Sequence, residues 1–345
     1  MAEYIGNIHI HSSYSDGHNS IEEIASIAAQ CGLDFIIITD HGTLKGQQRQ
    51  GYQKGVLVLV GMEVNDYANH YLAMDVRRVI AANTGRPQQV IDEVNRQGGF
   101  GIIAHPFEKG SPLYKKSKTY PWLDWNVTGF QGIEIWNFLS QWRDGIKGFF
   151  TGVWLLLNPA GSLVGPYPEV MAKLDEYHIQ GKPVMLYGGS DAHGASVKIG
   201  IFRLRISPYD LCFKMINVHV ITASALKGNE RKDRETVYSA LRRGRSWVAC
   251  DYYQNSRGFR FEIRNEQQAW LPGDKAEYQE GMYLYVYTPF PARATIIKNG
   301  QIARVSYGKK HILRNITEGV YRIEVHIRHH LTYRPWIFSN PIWVQ

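Results

Sequence analysis

Cysteine is scarce: Cys31, Cys212 and Cys250 are the only three in 345 residues, and no two form a CxxC pair. That excludes a disulfide framework and reads as reduced core cysteines of a cytoplasmic protein. Long apolar runs are also missing, since the longest, around Phe149 to Leu157, falls far short of the ~20 residues that a membrane span needs. The opening MAEYIGNIH has neither the basic nor the apolar region of a secretory signal. A GxSxG elbow, a GxxxxGK[ST] loop and a GxGxxG opening a helix after a strand are all absent, which removes the usual serine-nucleophile, P-loop and dinucleotide signatures. No internal repeat or low-complexity tract appears.

What is present is ordinary globular composition, 44% hydrophobic and 20% charged, with a formal charge of +8. The surplus is local: residues 228–345 hold 19 Lys+Arg against 11 Asp+Glu, while residues 1–227 hold 20 of each. Those C-terminal charges are scattered singly through segments such as GFRFEIR and VYRIEVHIR. They read as solvated strand faces rather than a basic stripe, so nucleic acid is not the expected partner.

Short apolar strand candidates (IGNIHIH, DFIIITDH, VLVLVGMEV, FGIIAHP, GIEIWN, VMLYGGSDAH, SWVACD) alternate with helix candidates. SIEEIASIAAQCG opens on a Ser20/Glu23 capping box and stops at Gly32, and RPQQVIDEVNRQGG has Pro87 near its start. PEVMAKLDEYHIQG and DRETVYSALRRG follow the same grammar, which argues for repeated β/α units. After about Asp251 only strand-turn-strand patterns remain, with Asn299-Gly300 as a hairpin signal. The expected division is therefore residues 1–254 as an α/β barrel, with an insertion at about 107–165, and 255–345 as an all-β sandwich.

Metal-ligand residue types sit at successive strand ends. In IHIHSSYSDG, His9 and His11 alternate along a strand and so project to one side, with Asp16 in the following loop. Asp40-His41, Glu63, His105, Asp191 and His193 close later strands, and His70 follows Glu63 closely. In a β/α barrel all these ends open on one face. A lone histidine after a strand is usually a hydrogen-bonded structural group, and TDHG alone is compatible with turn chemistry. Six histidines with the carboxylates of Asp16, Glu63 and Asp191 on one rim exceed what one ion takes, so two or three divalent ions are implied, with Zn, Mn or Fe all suited to mixed imidazole and carboxylate donors.

The segments HIHSSYSDG, TDHG, GMEV, AHP and SDAH resemble, in order, the PHP (polymerase and histidinol phosphatase) superfamily of metal-dependent hydrolases, over roughly the first 200 residues. HVITASALKG, VYSALRRGRSWVACD and RPWIFSNPIWV extend the resemblance toward its carbaryl-hydrolase branch. The resemblance implies a distorted seven-stranded (β/α)7 barrel. It further implies one ion held by His9, His11, Glu63 and Asp191, and a second held by Glu63, His70 and His105. A third ion would lie at Asp16, His41 and His193, with Asp191 shared. Asp16 stands where some relatives carry histidine. Asp191 and Glu63 are the implied catalytic carboxylates, with Asp40 orienting a neighbouring ligand.

Clustered ions activate water directly, so the expected reaction is hydrolysis, foremost of a small anionic phosphoester (the EC 3.1 class). Arg203 and Arg205 on one side of FRLR, Lys109 (with Lys115, Lys116 and Lys118) after AHP, and Asn137 beside Glu134 are the candidate substrate contacts. Solvated or paired side chains are the plainer account of each. The aromatic insertion (Tyr114, Tyr120, Trp122, Trp125, Trp136, Trp142, Trp154) is read mainly as core, though such rings at the mouth would suit an aryl leaving group. Alternatives are a carboxylic or carbamic ester hydrolase, a metal-dependent nuclease and a non-catalytic metal-binding scaffold. His329-His330 has no nearby carboxylate and is read as surface; no membrane partner is expected, and the oligomeric state stays open.

Overall fold

The computed structural model describes residues 1–113, 117–199 and 202–345, without the side chains of 197–205. Along the N-terminal part run β1 (Ala2–Asn7), α1 (Ile21–Gln30), β2 (Phe35–Ile38), β3 (Gly51–Gln53), β4 (Val56–Val60), β5 (Met62–Val64) and β6 (Tyr71–Met74). There follow α2 (Pro87–Arg96), β7 (Phe100–Ile103), β8 (Gly132–Asn137), α3 (Phe138–Gly145), α4 (Phe149–Leu157), α5 (Pro168–Ile179) and β9 (Met185–Gly189). Then come β10 (Ala195–Ile199), β11 (Phe202–Ser207), α6 (Tyr209–Met215), β12 (Ile216–Thr222), α7 (Glu230–Arg242) and β13 (Ser246–Cys250).

Local chemistry sets the boundaries. The Ser20 hydroxyl accepts from the Glu23 N–H while the Glu23 carboxylate accepts from the Ser20 N–H, closing the capping box, and Gly32 ends the turn with φ of 77°. In α2, Val90, Ile91 and Val94 are buried on one face. The strands FIII and VLVLV are buried at every position, as strands covered on both faces must be.

Strand pairing makes two main sheets. In the larger, β1 runs parallel to β2 and β2 to β4, while β12 pairs antiparallel to β1 and β13 to β12. The smaller has the order β5-β6-β7-β8-β9. Two isolated parallel bridges join them, His41 to Glu63 and Ile10 to Ala192. The hydrogen-bonded path from β1 through β2, β4 and the small sheet thus returns to β1. Both seams fall on segments read as ligand-bearing.

The C-terminal strands are β14 (Arg260–Arg264), β15 (Ala269–Trp270), β16 (Lys275–Ala276), β17 (Tyr283–Lys298), β18 (Gln301–Leu313), β19 (Gly319–His329), β20 (Thr332–Ser339) and β21 (Ile342–Val344). They enclose a hydrophobic cluster of their own around Phe261, Ile296, Ile323 and Trp336. They are nevertheless hydrogen-bonded into the larger sheet, because β20 pairs antiparallel with β13. The segments MYLYVYT and ATIIKNG, two strands by pattern, form the single β17. It pairs β14 up to Tyr287 and β19 from Ala292, and changes partner across Pro289 and Pro291, which have no N–H to give a ladder.

Candidate metal centre

Ile8 and Ile10 are wholly buried on one side of the chain leaving β1, which turns His9 and His11 to the other. The His11 N–H donates to the Ala192 carbonyl (2.9 Å), and the Ala192 N–H to the His9 carbonyl (3.2 Å), so that seam carries Asp191 and His193 alongside the two histidines. At the other seam the Gly42 N–H donates to the Glu63 carbonyl at 3.0 Å. His105 and Asp191 both adopt left-handed backbone (φ 27° and 53°), conformations that non-glycine residues keep only where their surroundings enforce them.

Three overlapping sets of donors result, each with its atoms within 4.8 Å of one another: His9, His11, Glu63 and Asp191; Glu63, His70 and His105; and His11, Asp16, His41 and His193. Glu63 is divided between the first two. Its Oε2 lies 3.2 Å and 3.1 Å from Nε2 of His9 and His11, and its Oε1 lies 2.5 Å from His70 Nδ1 and 3.2 Å from His105 Nε2. Asp191 Oδ1 is 3.3 Å from His9 and 3.2 Å from His11. His11 turns its Nδ1 toward Asp16 Oδ1 at 3.6 Å, and His193 Nε2 comes to 3.3 Å of the same oxygen. The first two sets are buried, whereas the Asp16 side chain is 58% exposed, so the third set is the open one.

A further layer fixes these rings. Glu134 places Oε1 at 3.0 Å from His9 Nδ1, and its Oε2 accepts from the His105 N–H (3.0 Å) and the Asn137 amide (2.9 Å). Glu108 Oε1 lies 2.9 Å from His105 Nδ1, and Glu108 also pairs with Arg143 and accepts from the Ser140 hydroxyl. A Cβ on Gly189 would stand 2.6 Å from His9 Cβ and 2.7 Å from Glu134 Oε1, so only glycine permits this approach.

The charges are strongly coupled. Burial opposes the charged form of His9, yet the carboxylates of Glu134, Asp191 and Glu63 outweigh it and hold that imidazole well above its ordinary range. His11 is carried to about 9 by Asp191 and Glu63 against the same burial. Glu63 and Asp191 go the opposite way, well below the carboxylate range, because the surrounding imidazoles outweigh burial. For His41 burial prevails, pushing it down to about 4. The raised imidazoles of His9 and His11 would have to give up protons for a divalent cation to bind them.

The cluster forms one wall of a cavity of about 800 Å³. Its polar side presents Asp16, His41, Glu63, His70, Asp191 and His193, and Arg143 faces in as well. Its apolar side is built from Ile80, Leu113, Tyr120, Leu139, Trp142 and Ile146. The Tyr120 ring lies 4.6 Å from that of His70.

Other sequence candidates fall elsewhere. Asp40 accepts from the Ser12 N–H (2.7 Å), the Ser12 hydroxyl (2.6 Å) and the Ser15 hydroxyl (2.6 Å), so it shapes the loop leading to Asp16 and belongs to none of the three donor sets. Lys109 does not line the cavity, because its ammonium pairs with Glu169 (3.2 Å) and lies over the Tyr167 ring. Asn137 also misses it: its carbonyl oxygen caps α3 by accepting from the Ser140 N–H, and its amide is committed to Glu134. The side chains of Arg203 and Arg205, with Tyr114, Lys115 and Lys116, lie outside the described residues. Trp122 and Trp136 are core, and Trp154 is exposed. His18 lines the cavity with its Nδ1 3.2 Å from the His193 carbonyl. Glu108 and Arg143 were missed; the only hint of Glu108 was its place three residues after His105.

Residues 7–136 match the model of the PHP domain family. An uncharacterized protein of Methanocaldococcus jannaschii is 28% identical over 156 residues, 41% of this chain and 84% of that protein. A phosphoribosyl 1,2-cyclic phosphate 1,2-diphosphodiesterase of Eggerthella lenta is 36% identical over 66 residues, 18% of this chain and only 25% of that enzyme. Among solved structures, a two-domain protein of Bacteroides vulgatus containing a predicted PHP-like metal-dependent phosphoesterase aligns over 99% of this chain and 95% of its own, with 14% identity and a TM-score of 0.46. A metal-dependent phosphoesterase candidate of Bifidobacterium adolescentis aligns over 60% of this chain and 93% of its own, with 16% identity and a TM-score of 0.36.

Proposed function

We propose that this protein is a metal-dependent hydrolase that cleaves a small phosphoester with two or three divalent ions. The observation that carries the reading is the division of one buried carboxylate, Glu63, between two sets of imidazoles on a cavity wall. The donors suit cations: among the described residues His70 Nε2 is buried without a hydrogen-bond partner, and the His11 ring nitrogens face oxygens of Glu63, Asp191 and Asp16 with no aligned hydrogen bond. His9, His11, Glu63 and Asp191 would hold one ion, His70 and His105 with Glu63 a second, and Asp16, His41 and His193 the more exposed third. Mixed nitrogen and oxygen donors fit Zn, Mn or Fe. Bound ions of this kind lower the pKa of water toward neutrality and neutralise charge developing on the electrophile.

The chain's own residues supply position and charge. Glu134 and Glu108 fix the rings of His9 and His105, and Arg143 adds a cation to the wall that an anionic substrate would meet. We read the closed strand path as the distorted seven-stranded barrel, with β4 and β5 counted as one strand, and residues 255–345 as an appended β domain. The PHP-domain match over residues 7–136 and the local likeness to a cyclic phosphodiesterase support the phosphoester choice. A second reading, a carboxylic or carbamic ester substrate, is favoured by the apolar side of the cavity.

The test is hydrolysis of p-nitrophenyl phosphate, its bis-ester and p-nitrophenyl acetate by protein of known metal content. Turnover of a phosphate ester that is abolished in Asp191→Asn is expected. Turnover of the acetate alone would sink the phosphoesterase reading, and protein that retains no transition metal when purified without chelator would sink the hydrolytic one. Among the described residues no helix is long and apolar enough to cross a membrane.

A further inference from the structure

The helix α4, FFTGVWLLL, turns most of its apolar side chains to solvent. Phe149 is 72% exposed, Phe150 86%, Trp154 57% and Leu157 80%, with Val153 and Leu156 also exposed and Leu155 alone buried. At 100° per residue these six exposed side chains fill a continuous arc of about 160°. Isolated exposed apolar residues need no explanation, whereas a contiguous face of this kind marks an interaction surface.

Its surroundings say what covers it. From residue 145 to 168 the only charged residue is Lys147, and from 109 to 123 the chain has lysines and no carboxylate. The two segments are joined: the Ser111 hydroxyl donates to the Ile146 carbonyl (2.7 Å), and the Gly110 N–H to Asp144 (2.7 Å). Lys118 and Lys147 are exposed. The nearby acids are spent, since Glu108 and Asp144 are buried and hydrogen-bonded and Glu169 is paired with Lys109. An apolar, aromatic-rich face flanked by the exposed Lys147, on a segment with no carboxylate, complements an anionic lipid surface. A second copy of the chain fits less well: nine helical residues extend about 14 Å, and at 10–12 Å wide give a footprint on the order of 150 Å², against about 800 Å² per partner in a standard interface.

We propose that α4 docks this protein on an anionic bilayer surface, with Phe149, Phe150, Trp154 and Leu157 entering the headgroup layer. Among the described residues no helix is long and apolar enough to cross a membrane, and α4 is suited to lying flat on one. Gly152 and Ile146 sit close together, and Ile146 also lines the large cavity, so docking would bring the cavity near the lipid surface. The proposal does not depend on the hydrolytic reading.

Co-sedimentation of the full chain with phosphatidylcholine vesicles, with and without phosphatidylserine, tests it. The protein should pellet with the phosphatidylserine-containing vesicles and be released by high salt. The double variant Phe150→Asp/Leu157→Asp, both positions exposed in the fold, should bind about tenfold less while keeping its circular dichroism and melting temperature. The proposal is overturned if the wild-type chain stays in the supernatant, or if the variant pellets equally. It is also overturned if light scattering shows a dimer that the variant dissolves in the absence of vesicle binding, which would make the occupant a second copy.

Discussion

Glu134 grips His9 from behind and steadies the backbone of His105 with its second oxygen. Glu134→Gln keeps the shape and removes the charge, so metal affinity should fall about 10–100-fold with an unchanged fold, as measured by titration against a competing chelator. Unchanged affinity would show that the carboxylate is idle. His219, far from the cavity, is wholly buried between Asp251 and Glu3 and stacked on Trp247. Burial lowers it, but the two carboxylates prevail and carry it from 6.5 to about 9. A raised folded-state value means the stabilisation is complete below pH 6.5 and is lost as pH rises toward 9. Urea unfolding should therefore show wild type losing roughly 3 kcal/mol more than His219→Gln across that window. Equal pH slopes would refute this. At this scale the clustering of the ligand-type residues was legible because most of them follow a strand and so meet at one rim. Lys109 and Asn137 misled because a sequence does not show that Glu169 and Glu134 have already engaged them.

Elements were readable wherever one period dominated. The capping box and Gly32 marked α1 from both ends, and Ser20→Ala should cost about 1 kcal/mol in unfolding free energy while leaving metal content intact. A loss of bound metal in that variant would mean α1 does more than pack. The buried runs of β2 and β4 announced themselves by composition. β17 did not, since its pattern is that of two strands, and its two prolines mark the point where one strand changes partner. The helices α3 and α4 were hidden in a segment whose aromatics read mainly as core. Glu108 and Arg143 were hidden with them, because their meeting depends on where α3 packs.

For the whole molecule, the decisive joints are small. Asn340, fully buried, accepts from the Leu186 N–H (2.8 Å) and donates to the Leu186 and Ser246 carbonyls (3.1 and 3.3 Å), tying the C-terminal strands to the strand that precedes Asp191. Asn340→Leu strands those buried groups and should lower stability by about 2–4 kcal/mol in urea unfolding. A change under about 0.5 kcal/mol would show that the joint is dispensable. Such closures were not legible in advance, since each rests on one or two residues from distant parts of the chain. The bridge between Ile10 and Ala192 has a consequence for synthesis. Domains fold as the chain emerges from the ribosome, N-terminal parts first. His9 and His11 emerge some 180 residues ahead of their companions Asp191 and His193. Until then β1 lacks β12 on its open edge as well. The nascent chain must keep that edge from pairing wrongly, and until Asp191 and His193 arrive the first and third donor sets each lack one member.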